Sequence, residues 1–168
     1  MRTNSTTDRG LMDHPAADID AVIVDPDDII ETFKRNHEED SRLNTHVLRL
    51  VPPFDGEVRA EPYLEDGPKR YPPGRDPEPL HLPAGTFVEN DEGPHPGETH
   101  LTIPTDEDAR QAAAAEHDDP DDAVETYRQQ LLAAWEADVR DALIGRVRIY
   151  WDPPTGDEIW TDARYEKR

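Results

Sequence analysis

The chain has 168 residues, of which 34% are apolar, and its 39 acidic against 18 basic side chains give a formal charge of −21. That length and apolar share support one modest core rather than two. No apolar run is long enough to span a membrane, and the absence of cysteine excludes disulfides, thiolate metal ligands and a cysteine nucleophile.

Residues 1–18 are polar and aperiodic, so a disordered tail is expected there, followed by one domain over 19–168. The opening MRTNSTTDRG lacks the apolar stretch of a secretory signal, which makes a cytoplasmic location the expectation. Ile19 to Val24 reads as a strand. Asp25 then caps a helix that Pro26 opens, because proline's missing N–H costs nothing at that position. Ile29, Ile30 and Phe33 give this helix its apolar face.

Thr45 to Val51 and Glu57 to Leu64 are rich in β-formers, and the PPFDG between them predicts a hairpin, with Pro62 at an edge or bulge. Twelve of the 17 prolines fall between Pro52 and Pro104, so an irregular segment is expected over about 65–104. Within it, Leu80 to Leu82 and Thr86 to Val88 are predicted to pair as short strands around Pro83-Ala84-Gly85.

Thr105 to Asp108 resembles a capping box and predicts a helix through Ala115. Asp119 and Pro120 then start the long helix, in which Val124, Tyr127, Leu131, Trp135, Val139 and Ala142 recur at spacings of three and four. Glu136 and Arg140 form an i, i+4 pair in the favoured order. Val147 to Trp151 and Glu158 to Thr161 flank Pro153-Pro154-Thr155-Gly156 as a last hairpin. The order implies an α+β fold: a small, mainly antiparallel sheet of hairpins packed against one long helix in the C-terminal half and one or two short helices.

The carboxylates are scattered along the chain among valine, leucine and tryptophan, as on a solvated folded surface rather than an acidic tail. Only Lys34, Lys69 and Lys167 are lysines; the other fifteen cations are arginines, suited to specific bidentate pairs. Self-repulsion of this size is screened by concentrated salt, where the Debye length falls to about 3 Å at 1 M. A high-KCl environment is therefore expected. VLRLVPPFDGEVRAEPY, LHLPAGTFVE and YRQQLLAAWEADVRDAL, in that order over most of residues 20–151, resemble a haloarchaeal family grouped as a domain of unknown function. The resemblance implies a halophilic setting and carries over no catalytic residue. The chain departs from that family in a proline-rich insert near Tyr71 to Pro79.

Four arginines lie on predicted strands: Arg49, Arg59, Arg146 and Arg148. If both hairpins share a sheet, their guanidinium groups converge on a phosphate, a carboxylate or an acidic partner. The plainer reading pairs them across strands with acids such as Glu57 and Glu61. His81, His95, Glu98 and His100 are weak metal candidates, because their spacing matches no zinc signature, and neither a metal nor a cofactor is expected. Asp118 to Asp122 lacks the glycine and glutamate of a calcium loop and reads as helix capping.

Trp135 and Tyr127 are expected in the core, whereas Tyr150, Trp151 and Trp160 are candidates for an interface. No nucleotide-binding or hydrolase motif occurs, and only Ser5 and Ser41 are serines. The leading expectation is a non-enzymatic interaction or accessory protein whose partner is another protein or a second copy. A protein or enzyme acting on a small phosphate or carboxylate ligand is the alternative. A nucleic-acid-associated regulator comes last, because phosphate contacts weaken steeply with salt.

Overall fold

A computed structural model describes residues 16–38, 44–66, 78–89, 102–118, 120–150 and 158–168. Its elements are β1 (Ile19–Val24), α1 (Pro26–Glu38), β2 (Asn44–Leu50), β3 (Gly56–Arg59), β4 (Glu61–Asp66), β5 (Leu80–Leu82), α2 (Asp106–Glu116), α3 (Val124–Asp141), β6 (Arg146–Tyr150) and β7 (Glu158–Tyr165). The fold is α+β. Two small sheets share the strands, in the orders β3-β1-β7-β6 and β4-β2-β5.

The pairings β2–β4, β2–β5 and β6–β7 are antiparallel, and β1 lies parallel to both β3 and β7. A strand flanked on both sides reads as a continuous apolar run, and β1 is buried everywhere except Asp20. Ile19, Val22 and Val24 join the main cluster with Leu48, Leu50, Phe87, Val147 and Ile149. Of the expected tail, residues 1–15 lie outside the described residues, while residues 16–18 form a turn that buries Ala16 against this cluster.

The first helix forms as its sequence dictates. Asp25 accepts from the Asp27 N–H at 2.9 Å, and Ile29 and Ile30 are buried. Asn36 near the helix end ties it to β2, because its side chain donates to the His46 carbonyl and accepts from the His46 N–H.

The strand expected over Glu57 to Leu64 is divided. Gly56, in the left-handed region at φ 65, turns the chain into β3, and β3 pairs with β1. The Ala60 N–H then donates to the Ile23 carbonyl at 2.8 Å, after which β4 crosses to the other sheet and pairs with β2. PPFDG therefore does not close a tight hairpin. Pro62 sits on edge strand β4, where a missing donor is tolerated.

The second short hairpin is also corrected. Leu80–Leu82 is a strand, but it pairs with β2, and Ala84–Phe87 is a 3-10 turn. The turn buries Phe87 edge-on to the Tyr165 ring, and Val88 bridges Leu143 instead of Leu82.

Thr105 and Asp108 form the reciprocal capping box, so Asp replaces Glu without losing either bond. In the long helix a 3-10 turn at Pro120–Asp122 precedes Val124, and Asp119 is outside the described residues. Its C-terminal half delivers Trp135 and Val139 to the core, and Trp135 packs edge-on to Phe33. Its N-terminal half packs instead on alanine-rich α2, which buries Ala109 and Ala113.

Tyr127 accordingly stays half-buried rather than in the core; its hydroxyl donates to Glu116 at 2.8 Å. The Glu136–Arg140 pair is likewise replaced by contacts between helices, Lys34 with Glu136 and Arg140 with Asp27, both at 2.5 Å.

Candidate functional site

The two sheets do not merge, and this decides where the four strand arginines go. Arg49 lies on β2 of the three-stranded sheet. Arg59 ends β3, at one edge of the four-stranded sheet, and Arg146 and Arg148 lie on β6 at its opposite edge. Two of the four, Arg49 and Arg59, nevertheless meet, because the chain crosses between the sheets at Ala60. They line a pocket of about 360 Å³ together with Pro53, Asp55, Glu57 and Glu61.

Side-chain alternation builds this pocket. Leu48 and Leu50 of β2 face the core, so Arg49 points to the other side of the sheet, opposite Glu61 in the β2–β4 register. Val58 of β3 faces the core, so Glu57 and Arg59 share the outer side. Arg59 Nη1 is buried and has no hydrogen-bond partner among the described residues. A buried donor left unpaired costs about 1–3 kcal/mol. Arg49 is held differently: its guanidinium carbon lies 3.8 Å from the Tyr63 ring centroid, in a cation–π contact.

Beyond Arg49 the same sheet face carries Tyr63, Glu65 and His81. The rings of Tyr63 and His81 are 5.1 Å apart, and His81 Nδ1 pairs closely with the buried Glu65 carboxylate. Tyr63 and Glu65 were not singled out from the sequence. The i, i+2 spacing of Glu61, Tyr63 and Glu65 was the available signal. His95, Glu98 and His100 lie outside the described residues, and among the described residues no group of three potential ligands is placed to hold a metal ion.

The arginines of the other edge are engaged by carboxylates. Arg146 lies 3.7 Å from Asp162, and Arg148 lies 3.6 Å from Glu158 with its guanidinium 4.9 Å from the Trp160 ring. Glu57 is taken by Arg164 of β7 rather than by either pocket arginine. Trp160 is 45% exposed, and Trp151 lies outside the described residues. Tyr150 ends β6.

Residues 9–164 match the family described as Domain of unknown function (DUF8009). The chain belongs to this family. The match takes in every strand and helix named above except Tyr165, so the pocket and its arginines lie wholly inside the family domain. No curated protein and no solved structure matches the chain. Among the described residues no helix is long and apolar enough to cross a membrane.

Proposed function

We propose that this DUF8009 protein binds a small carboxylate- or phosphate-bearing ligand at the Arg49–Arg59 pocket, in the salt-rich cytoplasm of a haloarchaeal type of cell. The observation that carries this reading is Arg59, which lines the pocket and whose buried Nη1 has no acceptor among the described residues. A ligand oxygen is the group that satisfies it, and a charge-assisted bond to guanidinium is roughly twice as strong as a neutral one. A polyanion such as nucleic acid fits less well, because Asp55, Glu57 and Glu61 stand around the same opening.

Titration of the protein with phosphate and with acetate at molar KCl, followed by amide chemical shifts, tests the site. Saturable shifts at Arg59 and its neighbours that vanish in Arg59→Gln are the expected result. Identical titrations of wild type and Arg59→Gln refute it.

The salt-rich setting rests on the charge of −21 and the excess of arginine over lysine. Circular dichroism against KCl concentration checks it: the fold is expected to loosen as KCl is removed, and an unchanged spectrum in low salt contradicts it. A second reading, contact with a protein partner, is favoured by the exposure of Trp160 beside Arg148. A high-salt pull-down in which Trp160→Ser loses the partner captured by the wild type tests that reading.

A further inference from the structure

We infer that the pocket is built for a small zwitterion, an amino acid whose carboxylate meets the arginines and whose ammonium meets Glu61 and Asp55. This deepens the anion-binding reading and rests on it. Five charged side chains line the pocket: Arg49 and Arg59 against Asp55, Glu57 and Glu61. Glu57 is occupied by Arg164, which approaches from β7. Asp55 and Glu61 have no hydrogen-bond or ion-pair partner for their side chains among the described residues. The opening is therefore lined by Arg59, whose buried Nη1 lacks an acceptor among the described residues, and by two exposed carboxylates with room to take a cation.

The strand register sets how close two of these opposite charges start from the backbone. Arg49 and Glu61 are direct partners across the β2–β4 ladder, and cross-strand partners hold their Cβ atoms about 5 Å apart. Positive and negative ends thus leave the same sheet face side by side, a spacing that an α-amino carboxylate spans. A dianion that satisfies Arg59 lies against two uncompensated carboxylates, and a plain amine lies against two guanidinium groups. Either mismatch is the kind of repulsion by which sites discriminate. Val51, Pro53 and Pro62 supply an apolar wall for a short aliphatic side chain, and the volume of about 360 Å³ falls at the lower end of ligand pockets.

The test is calorimetric titration of the full chain at molar KCl with four probes: L-valine, isovalerate, which lacks the ammonium, isobutylamine, which lacks the carboxylate, and inorganic phosphate. Valine is expected to bind at least about tenfold more tightly than isovalerate or phosphate. Glu61→Gln, an exposed change on an edge strand, should weaken valine and, with one repelling carboxylate gone, tighten isovalerate, so that the preference for valine is lost. Arg59→Gln should abolish both.

If isovalerate or phosphate binds as tightly as valine and Glu61→Gln alters nothing, the zwitterion inference falls and the anion reading stands. Isobutylamine binding as tightly as valine, or no binding by any of the four, overturns both. Circular dichroism of each variant separates a lost site from a lost fold.

Discussion

The outer face of the four-stranded sheet and the pocket beside it use the same residue type to opposite ends. Arg146 and Arg148 on β6 each have a carboxylate from the adjacent β7, Arg164 on β7 reaches across β1 to Glu57 of β3, and all three are substantially exposed. At the junction of the sheets, Arg59 has a buried Nη1 without a partner among the described residues, and Arg49 rests on an aromatic ring. Register sets Arg146 apart from Arg59. Arg146 faces Asp162 directly across the ladder, whereas Arg59 is the last residue of an edge strand, with Ile23 of β1 as its register partner. Surface pairs of this kind contribute about 0–1 kcal/mol, but a buried guanidinium nitrogen without an acceptor costs stability unless something binds it.

The two regions share a floor at Ile23, which is buried on the outer face and paired in register with both Arg59 and Arg164. Ile23→Ala should have the largest effect, a loss of about 2–5 kcal/mol in denaturant unfolding at fixed KCl, because it opens a cavity under both sets of arginines. A loss below about 1 kcal/mol would mean that the face is loosely packed.

The next contrast is one of sign. Arg59→Met removes the unpaired buried donor and should leave stability unchanged or raise it by up to about 1 kcal/mol. Arg164→Met breaks the contact with Glu57 and should lower it by up to about 1 kcal/mol. Equal losses in the two variants would erase the distinction between binding and structural arginines. Arg148→Gln comes lower still, within about 0.5 kcal/mol, yet it should shift Trp160 emission because the guanidinium leaves the indole face. It should leave pocket binding untouched.

The start of α1 repeats the contrast with carboxylates and is read out by pH. Asp27 is half-buried; hydrogen bonds from Arg140 and Lys167 hold its carboxyl below the ordinary value of 3.8. A depressed acid contributes stability above its unfolded value, and that contribution disappears as pH falls through the folded value. Asp28 is the reverse. Burial pushes it above 3.8 despite the Arg168 guanidinium, whose Nη2 donates to Oδ1 at 2.9 Å. A raised acid favours the fold most below its unfolded value, and stability declines as pH rises from there through the folded value. Asp27→Asn should therefore reduce the loss of stability on acidification below 3.8. Asp28→Asn should remove the decline that begins at 3.8 on the way up. Melting curves collected across the acid range distinguish the two.

Local chemistry was legible in the residues themselves. Asp25 before Pro26, Thr105 before Asp108, the apolar run of β1 and the spacing of Trp135 and Val139 act through bonds and faces within a few residues of one another, so periodicity and capping reveal them. The site was half legible. Arg49, Arg59 and Glu61 stood out as charges on strands, but their meeting, and the separation of Arg146 and Arg148 from them, did not.

Sequence by itself determined the helices, most of the strands, the acidic charge and the split of each strand into inner and outer faces. Tertiary structure alone decided that the chain changes sheets at Ala60, that Glu57 goes to Arg164 rather than to a pocket arginine, and that α3 gives only its C-terminal half to the core. The physical reason is range. Backbone geometry and capping are fixed by neighbours in the chain, while strand partnership depends on competition among edges far apart in sequence, and one choice of partner reassigns every side chain that faces it.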